Sequence, residues 1–94
     1  MEIQPTWRPF DGGGDVSRSS LPDSAFAFPH ERAEPLTDGA HVRSAIARFS
    51  QVNDVTDNER DVAFRNIKAA ADYYGVSLHA DNWHDLVRRS SSNE

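Results

Sequence analysis

Apolar positions crowd into one block, Leu21 to Val76, and their period changes along it. Residues 24–28 read Ser-Ala-Phe-Ala-Phe. That alternation places Phe26 and Phe28 on one face of a strand and Ala25 and Ala27 on the other. Pro29 ends the run, His30-Glu31-Arg32 makes a polar turn, and Ala33 to Leu36 can return beside the first strand. Pro35 has no amide hydrogen to donate, so the returning strand is short and lies at an edge. A two-stranded ribbon is marginal by itself, and this one is expected to lay Phe26, Phe28 and Leu36 onto helices.

From about Gly39 the period becomes helical. Val42, Ala45, Ile46 and Phe49 follow the i, i+3, i+4, i+7 pattern, which predicts a helix to about Val52 with those four side chains inward. Thr37 or Asp38 caps it by accepting from a free amide of the first turn, and Asn53, tolerant of left-handed backbone, stops it. Thr56-Asp57-Asn58-Glu59 is a capping box and starts the second helix. There Ala63, Ile67, Ala70, Ala71 and Tyr74 form the inner stripe, with Val62 and Phe64 on its flanks, and Gly75 ends the helix. Asp81 caps a third helix, Asn82 to about Arg89, with Trp83, Leu86 and Val87 inward.

These elements predict a mainly helical α+β domain, an N-terminal two-stranded β-ribbon packed on three helices. The division is a flexible arm over 1–20, a single small helical domain over 21–89 and a flexible tail over 90–94. Pro5, Pro9, Gly12-Gly13-Gly14 and Ser17 to Ser20 give the arm little to bury. Trp7 and Phe10 are its exceptions, and either dock on the domain or serve as a short linear contact.

Length and charge narrow the classes. In a chain of 94 residues one core supplies on the order of 3–5 kcal/mol, and with no cysteine no disulfide adds to it. Monomer or weak homodimer is the expectation. The formal net charge of −5 repels a phosphate backbone overall. No run approaches the ~20 apolar residues of a membrane span, and Met-Glu-Ile-Gln-Pro is no secretory signal; a cytoplasmic location is expected, without membrane contact.

The segments LPDSAFAF, EPLTDGAHVRSAIARF and IKAAADYYGV resemble a family of small bacterial and phage-encoded domains of unknown function. The residues that carry the likeness are Leu21, Pro22, Ser24, Ala25, Phe26, Leu36, Asp38, His41, Val42, Arg43, Ala45, Ala47, Arg48 and Phe49, with Ile67, Ala69, Ala70, Ala71 and Gly75 later. The resemblance implies a shared fold. It transfers no catalytic residue, and no head-assembly role comes with it.

Candidate chemistry is sparse. His30, His41, His79 and His84 lack the convergent spacing a zinc site needs, and no metal or cofactor is expected. Gly12-Gly13-Gly14 is followed by no Lys-Ser/Thr and no helix, so it is no phosphate loop. Asp38 can cap the first helix while orienting His41, as a carboxylate orients a catalytic imidazole. A hydrolase would need Ser24 or Ser44 to complete that pair, and neither stands in a nucleophile turn. Arg43 and Arg48 with Arg32 could form a basic strip for DNA, but the second helix begins with Asp57, Glu59 and Asp61, which would face phosphates. Tyr and Arg are enriched at binding hot spots. The residues singled out for binding are therefore Arg43, Arg48, His41, Asp38 and Tyr73, in a non-enzymatic accessory module whose expected partner is a protein. The DNA-associated reading and the hydrolase centred on His41 are the alternatives.

Overall fold

The computed structural model describes residues 4–10 and 18–91. Two strands, β1 (Phe26–Phe28) and β2 (Ala33–Pro35), form an antiparallel hairpin, followed by α1 (Gly39–Arg48), α2 (Asp57–Tyr74) and α3 (Trp83–Ser91). This is the mainly helical α+β architecture expected.

The longest element, α2, is the platform on which β1 and α1 pack, and α3 closes the side formed by α1 and the turn after it. Its ends are fixed by local chemistry. The Glu59 amide donates to Thr56 Oγ1 at 3.1 Å, and the Thr56 amide donates to Glu59 Oε1 at 2.7 Å, a reciprocal cap that satisfies two amides the helix cannot. At the far end Gly75 has φ 71°, and the Val76 amide reaches back to the Ala71 carbonyl at 2.8 Å. Glycine takes that left-handed conformation without a Cβ penalty.

The hairpin pairs Phe26 with Pro35 and Phe28 with Ala33. The Leu36 amide extends the same register to the Ala25 carbonyl at 2.8 Å. Ala27, Phe28 and Leu36 join the main core with Val42, Ala45, Phe49, Ala63, Phe64, Ile67, Ala70, Ala71 and Leu86. Phe26 departs from expectation: it sits in a second, smaller cluster with Leu21 and Ala25, against which Phe10 packs. β1 is buried on both faces, so strict alternation does not sort its phenylalanines onto one of them. The left-handed Arg32 (φ 51°) closes the turn. Its guanidinium donates to Asp23 Oδ1 and the Leu21 carbonyl and lies 4.7 Å from the Phe26 ring centroid.

Three boundaries shift. α1 ends at Arg48, and a single 3-10 turn, Phe49–Gln51, carries the chain on to Val52. The left-handed residue in the following link is Asp54 (φ 62°), not Asn53. In α3 the first-turn amide of Asp85 is met by Asn82 Oδ1 at 3.3 Å, while Asp81 donates its own amide to Asp85 Oδ2 at 2.9 Å; Asn82 rather than Asp81 therefore caps, and the helix runs on to Ser91. Ile46 is only half-buried, and Phe64, placed on the flank from sequence, is buried.

The opening segment decides the choice left open for Trp7. Residues 4–10 belong to the domain: Trp7 is 8 % exposed, and its indole Nε1 donates to the Leu36 carbonyl at 3.0 Å. Arg18–Ser20, also in the expected arm, form a single 3-10 turn; residues 1–3 and 11–17 lie outside the described residues, as do 92–94 of the expected tail.

What holds the segment is Asn66, a fully buried polar side chain in the middle of α2. Its Oδ1 accepts from the amides of Thr6 (2.7 Å) and Trp7 (2.9 Å), and its Nδ2 donates to Thr6 Oγ1 (3.0 Å) and the Ala27 carbonyl (2.8 Å). That uses the full capacity of a carboxamide, two acceptor sites and two donors. Asn66→Leu leaves the Trp7 amide and the Ala27 carbonyl without this partner, at about 1–3 kcal/mol for each unsatisfied buried group. Against a core worth on the order of 3–5 kcal/mol, the urea midpoint followed by circular dichroism is expected to fall steeply. An unchanged midpoint would contradict this role for Asn66.

Candidate functional site

The five residues singled out from sequence are all exposed, and the fold gathers four of them toward one end. Asp38 caps α1: its Oδ1 accepts from the His41 amide at 2.8 Å and stands 2.8 Å from His41 Nδ1. The same nitrogen lies 3.3 Å from Thr37 Oγ1. The paired Asp38 and His41 are thus real neighbours. Among the described residues, the hydrogen-bond partners of the His41 ring are Asp38 and Thr37, not Ser24 or Ser44. The bond from the His41 amide, reinforced by the imidazole, holds the Asp38 carboxyl below its ordinary value.

Gly39 brings the start of α1 against the end of α2. A β-carbon at this position would stand 3.3 Å from Val76 Cγ2 and 3.7 Å from Arg43 Nη1. Arg43 therefore lies over Gly39, close to the carboxyl end of α2, where the helix dipole favours a cation. Tyr73 belongs to the last turn of that helix and is 59 % exposed. Two rings back it edge-on, Trp7 with centroids 5.8 Å apart and Tyr74 at 4.9 Å. Trp7 and Tyr74 are themselves 5.9 Å apart. Edge-to-face contacts of this kind contribute roughly 0.5–1.5 kcal/mol beyond area burial, so Tyr73 is a surface ring with a fixed orientation.

Arg48 does not join this end. It follows Arg43 by five positions, about 7.5 Å further along α1 and about 140° around it. The two arginines therefore make no single strip. Arg48 shares a face with His41 instead, about 20° away and two turns on.

One cluster was missed in the sequence. The hairpin turn sets His30 Nδ1 3.1 Å from Glu31 Oε2 and 3.6 Å from Glu59 Oε2. An imidazole and two carboxylates are a donor set that zinc accepts, and of the described residues these three stand close enough together to hold an ion. Ion pairing accounts for the contact as it stands. The Glu31 carboxylate, then Glu59, raise the His30 pKa above its ordinary value, while the Thr56 amide and then Glu31 lower that of Glu59. The sequence signal would have been a hairpin turn packing beside a capping box, a tertiary fact that spacing does not contain. Asn66 did leave a signal: with Ala63, Ile67 and Ala70 it fits the inner stripe, the one polar residue at those positions.

With this geometry in view, comparison with known proteins gives one match. A model for a family of unknown function (DUF6582) covers residues 13–81. The chain belongs to that family. No curated protein and no solved structure matches. The DUF6582 span contains the hairpin, α1, α2, the capping pair Asp38–His41, Asn66 and Tyr73; the segment 4–10 lies outside it.

The Asp38 cap gives a pH signature. Because its folded-state pKa is lowered, the stabilisation is present above the unfolded carboxylate value, about 4, and is lost as pH falls through the folded value. Asp38→Ala should cost about 1 kcal/mol at neutral pH, as lost caps do, and the difference from the parent should vanish in acid. Thermal melts across pH 2–7 check both; a difference that persists at the acid end would count against the cap.

Proposed function

We propose that this DUF6582 chain is a non-enzymatic interaction module of the bacterial and phage-encoded kind, working in the cytoplasm and docking a protein partner on the end that carries Tyr73 and Arg43. The observation that carries this reading is Tyr73. It is a large aromatic side chain, 59 % exposed, and two further aromatic rings hold it in place. Binding hot spots are enriched in Tyr and Arg, and a tyrosine already held in orientation loses little conformational entropy on binding. Arg43, which lies over Gly39 where α1 meets Val76 just past the same helix end, offers a planar donor fork for a carboxylate or a main-chain carbonyl. Asp38 and His41, exposed at the neighbouring helix start, form the polar rim.

No helix among the described residues is long and apolar enough to cross a membrane, which fits a partner met in solution. The separation of Arg43 from Arg48 about the axis of α1 favours a compact contact at one end over a basic track along the helix.

The test is affinity capture followed by titration of the captured partner. Tyr73→Ala and Arg43→Ala are each expected to lose about 2 kcal/mol, roughly 30-fold in Kd, as hot-spot truncations do. Arg48→Ala should bind as the parent does. Equal binding by all three variants, or turnover of a substrate dependent on His41, would overturn the reading.

A further inference from the structure

The segment 4–10 has no helix or strand of its own, and it is seated by its contacts with the domain, Trp7 buried and the residues flanking it exposed. Asn66 clamps two consecutive backbone amides and a hydroxyl of the segment. The Leu36 carbonyl takes the indole N–H, and the Ser24 carbonyl takes the Arg8 amide at 3.0 Å. Tyr73 and Tyr74 wall the indole. Three of these five bonds read main chain that any residue but proline carries. Two read side chains, a hydroxyl followed by an indole.

The contacts join residues 59 and 60 positions apart, so nothing local to the segment dictates its seat. Every groove residue named lies within the span the family matches, and the occupant lies before it. A fully buried carboxamide needs partners for all its hydrogen-bonding sites; a stretch of chain outside the family span meets three of the four, and the Ala27 carbonyl meets the fourth.

We infer that the Asn66 groove is a peptide-binding site for a Thr-Trp or Ser-Trp segment, occupied here by the chain's own Thr6-Trp7, which a partner protein's segment of the same chemistry displaces. This rests on the interaction-module reading and adds to it a specificity: a hydroxyl residue, then tryptophan, with both amides free. It also adds a control. Covalent attachment gives the resident segment an effective concentration in the millimolar range, so the groove stays closed to weak competitors.

The experiment uses the full chain with a protease site inserted between Gly12 and Gly14 and cut after folding, so that the resident segment is held by its contacts alone. A fluorescein-labelled peptide with the sequence of residues 1–11 is titrated in and followed by anisotropy. The cut chain should bind it saturably, and the uncut chain at least about a hundredfold more weakly, the scale set by an intramolecular competitor. The same peptide carrying Trp7→Ala should not bind. If the cut chain loses its helical signal on dilution, the added peptide is expected to restore it. No binding by a folded cut chain, equal binding of the Trp7→Ala peptide, or failure to restore a lost fold would each overturn the inference. Partner binding by the uncut chain that still depends on Tyr73 and Arg43 would then leave the module reading standing.

Discussion

A carboxamide buried in an apolar helix face must find partners for two acceptor and two donor sites or cost the fold more than a small core returns. Asn66 sets that constraint here. Its partners come from two separate parts of the chain, the main chain of Thr6 and Trp7 and the Ala27 carbonyl of β1. One side chain thereby joins the opening segment, the hairpin and the central helix. Once Thr6 and Trp7 are fixed, the indole reaches the Leu36 carbonyl at the entry to α1 and the two tyrosines at the end of α2. The orientation of Tyr73 is thereby coupled to a bond made about two helical turns away.

The rest of the architecture serves to hold α2 in place. Its capping box and left-handed Gly75 define where it begins and ends, and Gly39 lets α1 approach close to Val76 just beyond it. Glu59 belongs to two systems at once, since one carboxylate oxygen takes the Thr56 amide and the other faces His30 of the hairpin turn. The start of α2 is therefore tied to the hairpin by charge and its middle by Asn66. Its end is tied to the opening segment by edge-to-face ring contacts.

Much of this was legible in the chain. Thr56–Glu59 and Gly75 act locally, and local signals survive whatever the tertiary structure does. Val42, Ala45 and Phe49 are buried because helical period alone decides which face they share. The misreadings lie where distant parts meet. Phe26 left the main core because Leu21 and Ala25 build a separate pocket for it. Trp7 was ambiguous because its partners stand 29 and 59 positions away. Of the proposed binding residues, the pairing of Asp38 with His41 is legible from a cap and its N3 position, and the divergence of Arg43 from Arg48 follows from the helical repeat.

The most direct test of the central claim is hydrogen exchange of the parent chain, followed by NMR, at the Thr6 and Trp7 amides, the Trp7 indole and the Asn66 carboxamide. If Asn66 clamps the segment, the Trp7 amide, its indole and the carboxamide exchange slowly and together, at rates near those of the buried middle of α2. Rates close to those of an unfolded peptide at Thr6 and Trp7, with α2 still protected, would mean that the segment is not held by Asn66, and the account of the fold built on it would fail.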